Sequence, residues 1–131
     1  MIPCSDPSSV EPFPAPLLPN LYRALAETDG SYDVATIENM LSEGVVQLWA
    51  RGESFVLTEL RIAPTGKRYG HIFLCGGSLP ELLPLYPILE GWARSQGCGM
   101  MTMVGRRGWE RTFLKDEGWT APYSVYRKEL V

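Results

Sequence analysis

The stretch YGHIFLCGGSLPELLPLYPILEGWARSQGCGMMTMV, residues 69–104, changes its hydrophobic period twice and so sets the fold class. Tyr69–Cys75 is a short apolar run closed by Gly76-Gly77, which is how a buried strand reads. From Leu82 onward the spacing becomes helical. Leu82, Leu85, Tyr86, Leu89, Trp92, Ala93 and Gln96 share one stripe, and Gly97 ends it. Pro84 and Pro87 lie off that stripe, so the first turn should be irregular and the helix regular from about Leu85. Met100–Val104 then returns to the strand pattern. Strand, helix, strand in one continuous run places the chain among α/β folds.

Upstream, Val45–Ala50 and Phe55–Ile62 flank Arg51-Gly52-Glu53-Ser54, a hairpin signal. Pro64-Thr65-Gly66-Lys67 turns the chain into Tyr69–Cys75, so the strands form an antiparallel meander. Two short helices precede it. Asn20 is expected to cap a helix reaching Ala26, broken at Asp29-Gly30. Asp33 caps a second, with Val34, Ile37, Met40 and Leu41 on one face and Gly44 at its end. Downstream, a helix is expected over Arg107–Glu117, stopped by Gly118, and a last strand over Tyr123–Leu130. Residues 20–131 thus form one α/β domain with a mixed, mainly antiparallel sheet flanked by helices. Phe55–Ile62 and Tyr69–Cys75 are its central strands, and Trp92 and Trp109 are expected in its core.

Residues 1–19 differ. Pro3, Pro7, Pro12, Pro14, Pro16 and Pro19 forbid a helix and disfavour a central strand, which leaves an extended arm. Val10, Phe13, Leu17 and Leu18 lie among them. Phe13 and Leu17 are therefore candidate contacts for a partner's groove; the other use of such an arm is to pack across its own sheet.

Composition removes several functions. With 131 residues, 45% apolar, the chain can fill one core. A net charge of −3 provides no basic field for nucleic acid. Cys4, Cys75 and Cys98 are scattered and His71 is the sole histidine, so the chain alone cannot make a zinc site. Three such thiols fit a reducing compartment. Met-Ile-Pro-Cys-Ser-Asp-Pro is not a secretory start, and Leu79–Trp92, the most apolar stretch, carries Glu81, Glu90 and three prolines. The expectation is a protein free of membranes and not secreted through a signal peptide.

Several segments punctuate the second half in a recognisable way. Trp92-Ala93-Arg94-Ser95-Gln96-Gly97-Cys98 closes one helix, and Leu114-Lys115-Asp116-Glu117-Gly118-Trp119 closes the next. With the order of elements, these resemble the GNAT acetyltransferase superfamily. Gly105-Arg106-Arg107-Gly108-Trp109-Glu110-Arg111, the ending Lys128-Glu129-Leu130, and an apolar strand running into Gly76-Gly77-Ser78-Leu79 are more similar to the short GNAT-like proteins of tailed phages and prophages. The resemblance spans about Tyr32–Val131 and leaves the arm unmatched. The family's first strand has no counterpart, and one strand fits after Trp119 where the family has two.

For chemistry the resemblance points two ways. Members bind acetyl-CoA through an R/Q-x-x-G-x-G/A loop whose backbone N–H groups cradle the pyrophosphate. The matching segment makes Gly76, Gly77 and Ser78 the cofactor candidates, without the Arg or Gln and without the spacing. No Lys or Arg occurs between Arg68 and Arg94. Ser78 and Glu81 form an S-x-x-E capping box, which spends free helix donors and sets a carboxylate against a pyrophosphate. The tyrosine that serves many members as acid falls on Leu114, and their asparagine at about Arg107. What remains is Glu59 as a base and Tyr126, with Tyr123, as a hydroxyl. His71 reads as structural, and no Walker loop or nucleophile triad is present.

Arg106, Arg107 and Arg111 crowd a helix start, where cations oppose the macrodipole, so an acidic neighbour, a bound anion or a partner should compensate. Taken together, the resemblance implies a non-catalytic virion-associated or interaction component with no cofactor. It would be held by other phage structural proteins or by copies of itself, in the virion or the host cytoplasm. The alternative is an acetyl-CoA-dependent N-acetyltransferase with a divergent loop.

Overall fold

The computed structural model describes residues 11–28, 30–104, 116–122 and 125–130. Its sheet has the order β1 (Gln47–Arg51), β2 (Ser54–Ile62), β3 (Arg68–Gly76), β4 (Met101–Met103). The first three strands are antiparallel and β4 lies parallel to β3. This is the mixed, GNAT-like α/β arrangement expected, with β2 and β3 central. Arg51 pairs with Ser54, leaving Gly52-Glu53 as a two-residue loop, and Gly52 takes the positive φ of 60° that the turn requires.

The crossover from β3 to β4 is cut in three by prolines. α3 (Leu79–Leu82), a 3-10 turn (Leu83–Leu85) and α4 (Tyr86–Ser95) each carry a proline at one of their first two positions. There the missing N–H would have had no intrahelical partner anyway. Leu85, Leu89 and Ala93 bury the inner stripe, and the two leucines pack on Val56 and Ile72. Trp92 sits beside that stripe and is half-buried, edge-on to Trp49 at 5.9 Å, rather than in the core.

The other face of the sheet is covered by α1 (Leu18–Ala26) and α2 (Val34–Ser42). Asp33 caps α2 as expected, accepting the Thr36 N–H at 2.8 Å. α1 corrects the expected arm boundary at residue 19. A 3-10 turn over Ala15–Leu17 runs directly into the helix, and Pro16 and Pro19 fall in the first turns of these segments. Asn20 lies inside α1 and does not cap it; its Nδ2 donates to the Glu53 carbonyl at 2.7 Å, tying the helix to the β1–β2 turn.

The assignment of Phe13 and Leu17 to a partner is also corrected. Each is only 3% exposed and belongs to the core formed with Leu21, Ile37, Val46, Phe55 and Leu57. The Phe13 ring stands edge-on to Phe55 at 5.7 Å, and its N–H donates to Glu38 Oε2 at 2.6 Å. Burying two large apolar groups at home leaves neither for a groove elsewhere.

The expected last strand does not form over residues 125–130. Val125, Tyr126 and Leu130 are 74%, 92% and 87% exposed, and strand propensity without a ladder partner stabilises nothing. Trp109 and all but the end of the expected helix 107–117 lie outside the described residues. Trp119, just beyond, donates its indole N–H to the Tyr86 hydroxyl at 2.7 Å. No helix among the described residues is long and apolar enough to cross a membrane.

Candidate active site

Among the described residues β3 and β4 stay together for three residue pairs: Gly70 with Met101, His71 with Thr102, and Ile72 with Met103. On its other edge β3 pairs Ile72 with Thr58 and Leu74 with Leu57, so Phe73 has no partner on β2. Phe73 is thus a bulge, and it falls where the parallel pairing stops. One extra residue bends a strand and leaves backbone groups outside the ladder, which is why bulges recur beside reactive sites. Here it sits in mid-β3, beside the carboxyl end of β4; the carboxyl ends of parallel strands are the usual ligand position in α/β sheets.

Next to the bulge, three strands contribute one row. Glu59 on β2 is opposite His71 on β3, which is opposite Thr102 on β4. His71 is 6% exposed, with Nδ1 at 2.8 Å from the Thr102 hydroxyl. Either partner can hold the shared proton, according to the imidazole tautomer. Arg61 donates to Glu59 Oε1 through Nε at 2.6 Å. Burial pushes the His71 pKa down, the Arg61 guanidinium adds to this, and the Glu59 carboxylate opposes it. The imidazole is therefore neutral near pH 7 and able to accept a proton.

Of the expected catalytic candidates, Glu59 lies in this row and Tyr126 does not benefit from it. At 92% exposed on a segment that forms no strand, Tyr126 is held by no packing. His71, read from sequence as structural, is the residue that was missed. Only the strand register brings it opposite Glu59, and no local motif announces that pairing.

The cofactor candidates all have internal duties. A Cβ on Gly76 would meet the Asn20 carbonyl at 2.8 Å and the Phe55 ring at 3.0 Å. On Gly77, with φ of +127°, it would strike the Ser54 hydroxyl. The Ser78 N–H donates to Ser54 Oγ at 3.0 Å, and Ser54 Oγ donates to Glu81 Oε1 at 2.7 Å. The expected capping box is therefore corrected: Ser78 makes no side-chain cap bond. Its hydroxyl turns to Glu81 Oε1 at 3.3 Å, because Glu81 is drawn outward to fully buried Ser54 and to the β1–β2 turn. The Ser54 hydrogen bond, chiefly, holds the Glu81 pKa below the usual carboxylate range, helped by Ser78, the Glu53 backbone and Arg51.

Arg106, Arg107 and Arg111, named as partner contacts, lie outside the described residues, as do Leu114 and Tyr123. Among the described residues no group of His, Cys, Asp and Glu could hold a metal ion.

No family model matches the chain, and no curated protein matches it. Solved structures do. A ribosomal-protein-alanine N-acetyltransferase from Brucella melitensis biovar Abortus 2308 aligns with TM-score 0.64 and 16% identity, over 88% of this chain and 91% of that one. An acetyltransferase from Trypanosoma brucei aligns with TM-score 0.65 and 16% identity, over 95% of each chain. A transcriptional regulator from Bacillus halodurans C-125 aligns with TM-score 0.62 and 12% identity, over 92% and 97%. At these identities the likeness is one of fold, and that fold is the GNAT acetyltransferase fold.

Proposed function

We propose that the chain is a GNAT-type acyltransferase that moves an acyl group, acetyl in the simplest case, from a coenzyme A-type thioester to an amine. The observation that supports this best is the end of the β3–β4 pairing at the bulged Phe73, with the Glu59–His71–Thr102 row and its buried histidine alongside. Two of the structures that share the fold are acetyltransferases, which favours this reading over the non-catalytic one. The donor's thioester end suits the opening, where the edge of β3 beyond Ile72 that faces away from β2 has no strand partner among the described residues.

His71 is the general base in this reading. The attacking amine forms a C–N bond to the thioester carbonyl carbon and the C–S bond breaks. The proton shed by the nitrogen passes to the imidazole, and the thiolate departs. Thr102 fixes the ring through Nδ1, and Glu59 stabilises the imidazolium that results.

The test is turnover of acetyl-CoA with a panel of peptide α-amines, lysine side chains and small polyamines, read as acetylated product by mass spectrometry. His71→Ala should lower kcat by about 10²–10⁴, the contribution typical of a general base, while thermal unfolding remains cooperative. Product formed at the wild-type rate by that variant removes His71 from the mechanism. No product with any amine class removes the transferase.

The second reading, a non-catalytic part of a phage particle or other assembly, is favoured by the Glu81 carboxylate lodged in the loop. It loses the two contacts, Phe13 and Leu17, that the arm was to offer a partner.

A further inference from the structure

We infer that the donor is recognised through its pantetheine–thioester arm alone, so that a pantetheine thioester without a nucleotide serves as well as coenzyme A. This rests on the transferase reading and concerns which part of the donor the chain reads. A diphosphate at the end of β3 would need free N–H groups, bare Cα atoms for close approach, and cations. Among the described residues of the loop, the Ser78, Glu81 and Leu82 N–H groups and the bare Cα of Gly77 are committed, and no cation is supplied by the loop itself.

The Ser78 N–H is spent on Ser54 Oγ at 3.0 Å. The Glu81 and Leu82 N–H groups donate to the Ser78 carbonyl at 3.1 and 3.0 Å, and Pro80 has none to give. The bare Cα of Gly77 makes room for the Ser54 hydroxyl, and that of Gly52 makes room for the Glu81 carboxylate. No Lys or Arg occurs between Arg68 and Arg94, and the charge of nearby Arg51 already acts on Glu81. An anion brought here meets a carboxylate that shares Ser54 and Ser78 as its donors. Hydrogen bonds to that carboxylate are charge-assisted, so the chain's own anion is well held.

Among the described residues the β3–β4 opening carries no such conflict. An extended chain bearing amides can use unpaired strand edges, as added strands do. Pantetheine has two amides and no charge. The glycines and serine of the loop thus serve an internal latch, and the latch excludes the nucleotide end from the recognition.

The experiment compares acetyl-CoA with acetyl-pantetheine as donors for wild type, Glu81→Gln and Ser54→Ala, using whichever amine is acetylated. For wild type the two kcat/KM values should agree within about fivefold, since one charge-assisted bond to a diphosphate would by itself separate them by about tenfold or more. Adenosine 3′,5′-bisphosphate at about millimolar concentration should not inhibit, and the rate with acetyl-CoA should be flat between about 0.05 and 0.5 M salt. Weakening the latch in Glu81→Gln should raise kcat/KM for acetyl-CoA several-fold and leave acetyl-pantetheine unchanged; Ser54→Ala should act in the same direction. A wild-type preference for acetyl-CoA above about a hundredfold, or inhibition by the bisphosphate at micromolar concentration, overturns this inference and leaves the transferase standing. Failure of both donors overturns the transferase and the inference with it. The wild-type comparisons decide the matter even if a variant does not fold.

Discussion

Phe13→Ala tests whether the proline-rich start of the chain belongs to the domain. Phe13 is 3% exposed, stands edge-on to Phe55 at 5.7 Å, and shares its cluster with Leu17, Leu21 and Ile37. Truncating a ring so enclosed removes its burial and leaves a cavity, at a cost of about 3–5 kcal/mol. Unfolding entropy of about 2.1 cal/mol/K per residue, over 131 residues, is about 0.28 kcal/mol/K. The melting temperature should then fall by about 11–18 °C, read by circular dichroism or scanning calorimetry. Pro12→Ala is the control. Residue 12 is exposed, and its change should move the midpoint by no more than about 2 °C. If Phe13→Ala also shifts the midpoint by less than about 2 °C, the segment is not part of the core and a partner-binding arm returns.

Gly77→Ala should destabilise more than Gly66→Ala. Both glycines have positive φ, +127° and +90°, and a new side chain costs roughly 1–3 kcal/mol of backbone strain at either. At Gly66 nothing lies within 4 Å of the new Cβ, whereas at Gly77 it strikes Ser54; equal losses in a urea titration would show that the latch is not tightly packed. The stability of the wild type should fall as pH is lowered from 7.5 to 5, and more steeply than that of His71→Gln. Burial depresses the His71 pKa in the fold, with Arg61 adding and Glu59 opposing, so its contribution is intact above the ordinary histidine value of 6.5 and is lost as pH falls through the folded value. Parallel pH profiles for the two proteins would place His71 in contact with water.

Much of the fold was legible because its signals are local. Asp33 ahead of Val34 and Ile37 marks a cap, Arg51-Gly52-Glu53-Ser54 marks a hairpin, and the stripe from Leu85 to Ala93 marks a buried helix face. Each is set by neighbours within a turn or two. The errors have tertiary causes. Pro16 and Pro19 read as helix breakers, yet a proline in the first turn loses no hydrogen bond, so α1 begins at Leu18. Ser78 and Glu81 have the spacing of a capping box, but buried Ser54, distant in sequence, competes for the carboxylate and prevails. Val125–Leu130 has strand composition and no ladder to join. For the candidate site, Glu59 was legible as a carboxylate on a central strand. His71 was not, because its meaning depends on register with strands before and after it.

The bulge at Phe73 joins these points. Along β3, Ile72 and Cys75 pack in the cluster beneath α4, while Phe73 and Leu74 both pack in the cluster beneath α1 and α2. Strict alternation would have sent Leu74 to the α4 side and Cys75 to the other. The sequence HIFLCGG, apolar throughout its middle, has no polar residue to expose the shift, which is why the period could not reveal it. With the extra residue, Leu74 faces Leu57 and can fill the α1–α2 core, Cys75 is half-buried opposite Val56, and Gly76 reaches the Asn20 carbonyl. Upstream of the bulge the same strand keeps its register with β4 and holds His71 between Glu59 and Thr102. A single inserted residue therefore lets one strand serve two purposes. Its second half completes a core and the Ser54–Glu81 latch, and its first half holds a buried base at the edge of the opening. Deleting Phe73 would leave Ile72, Leu74 and Cys75 in regular alternation on the faces they now occupy, at the loss of the Phe73 side chain from the α1–α2 core and of the bulge beside the opening.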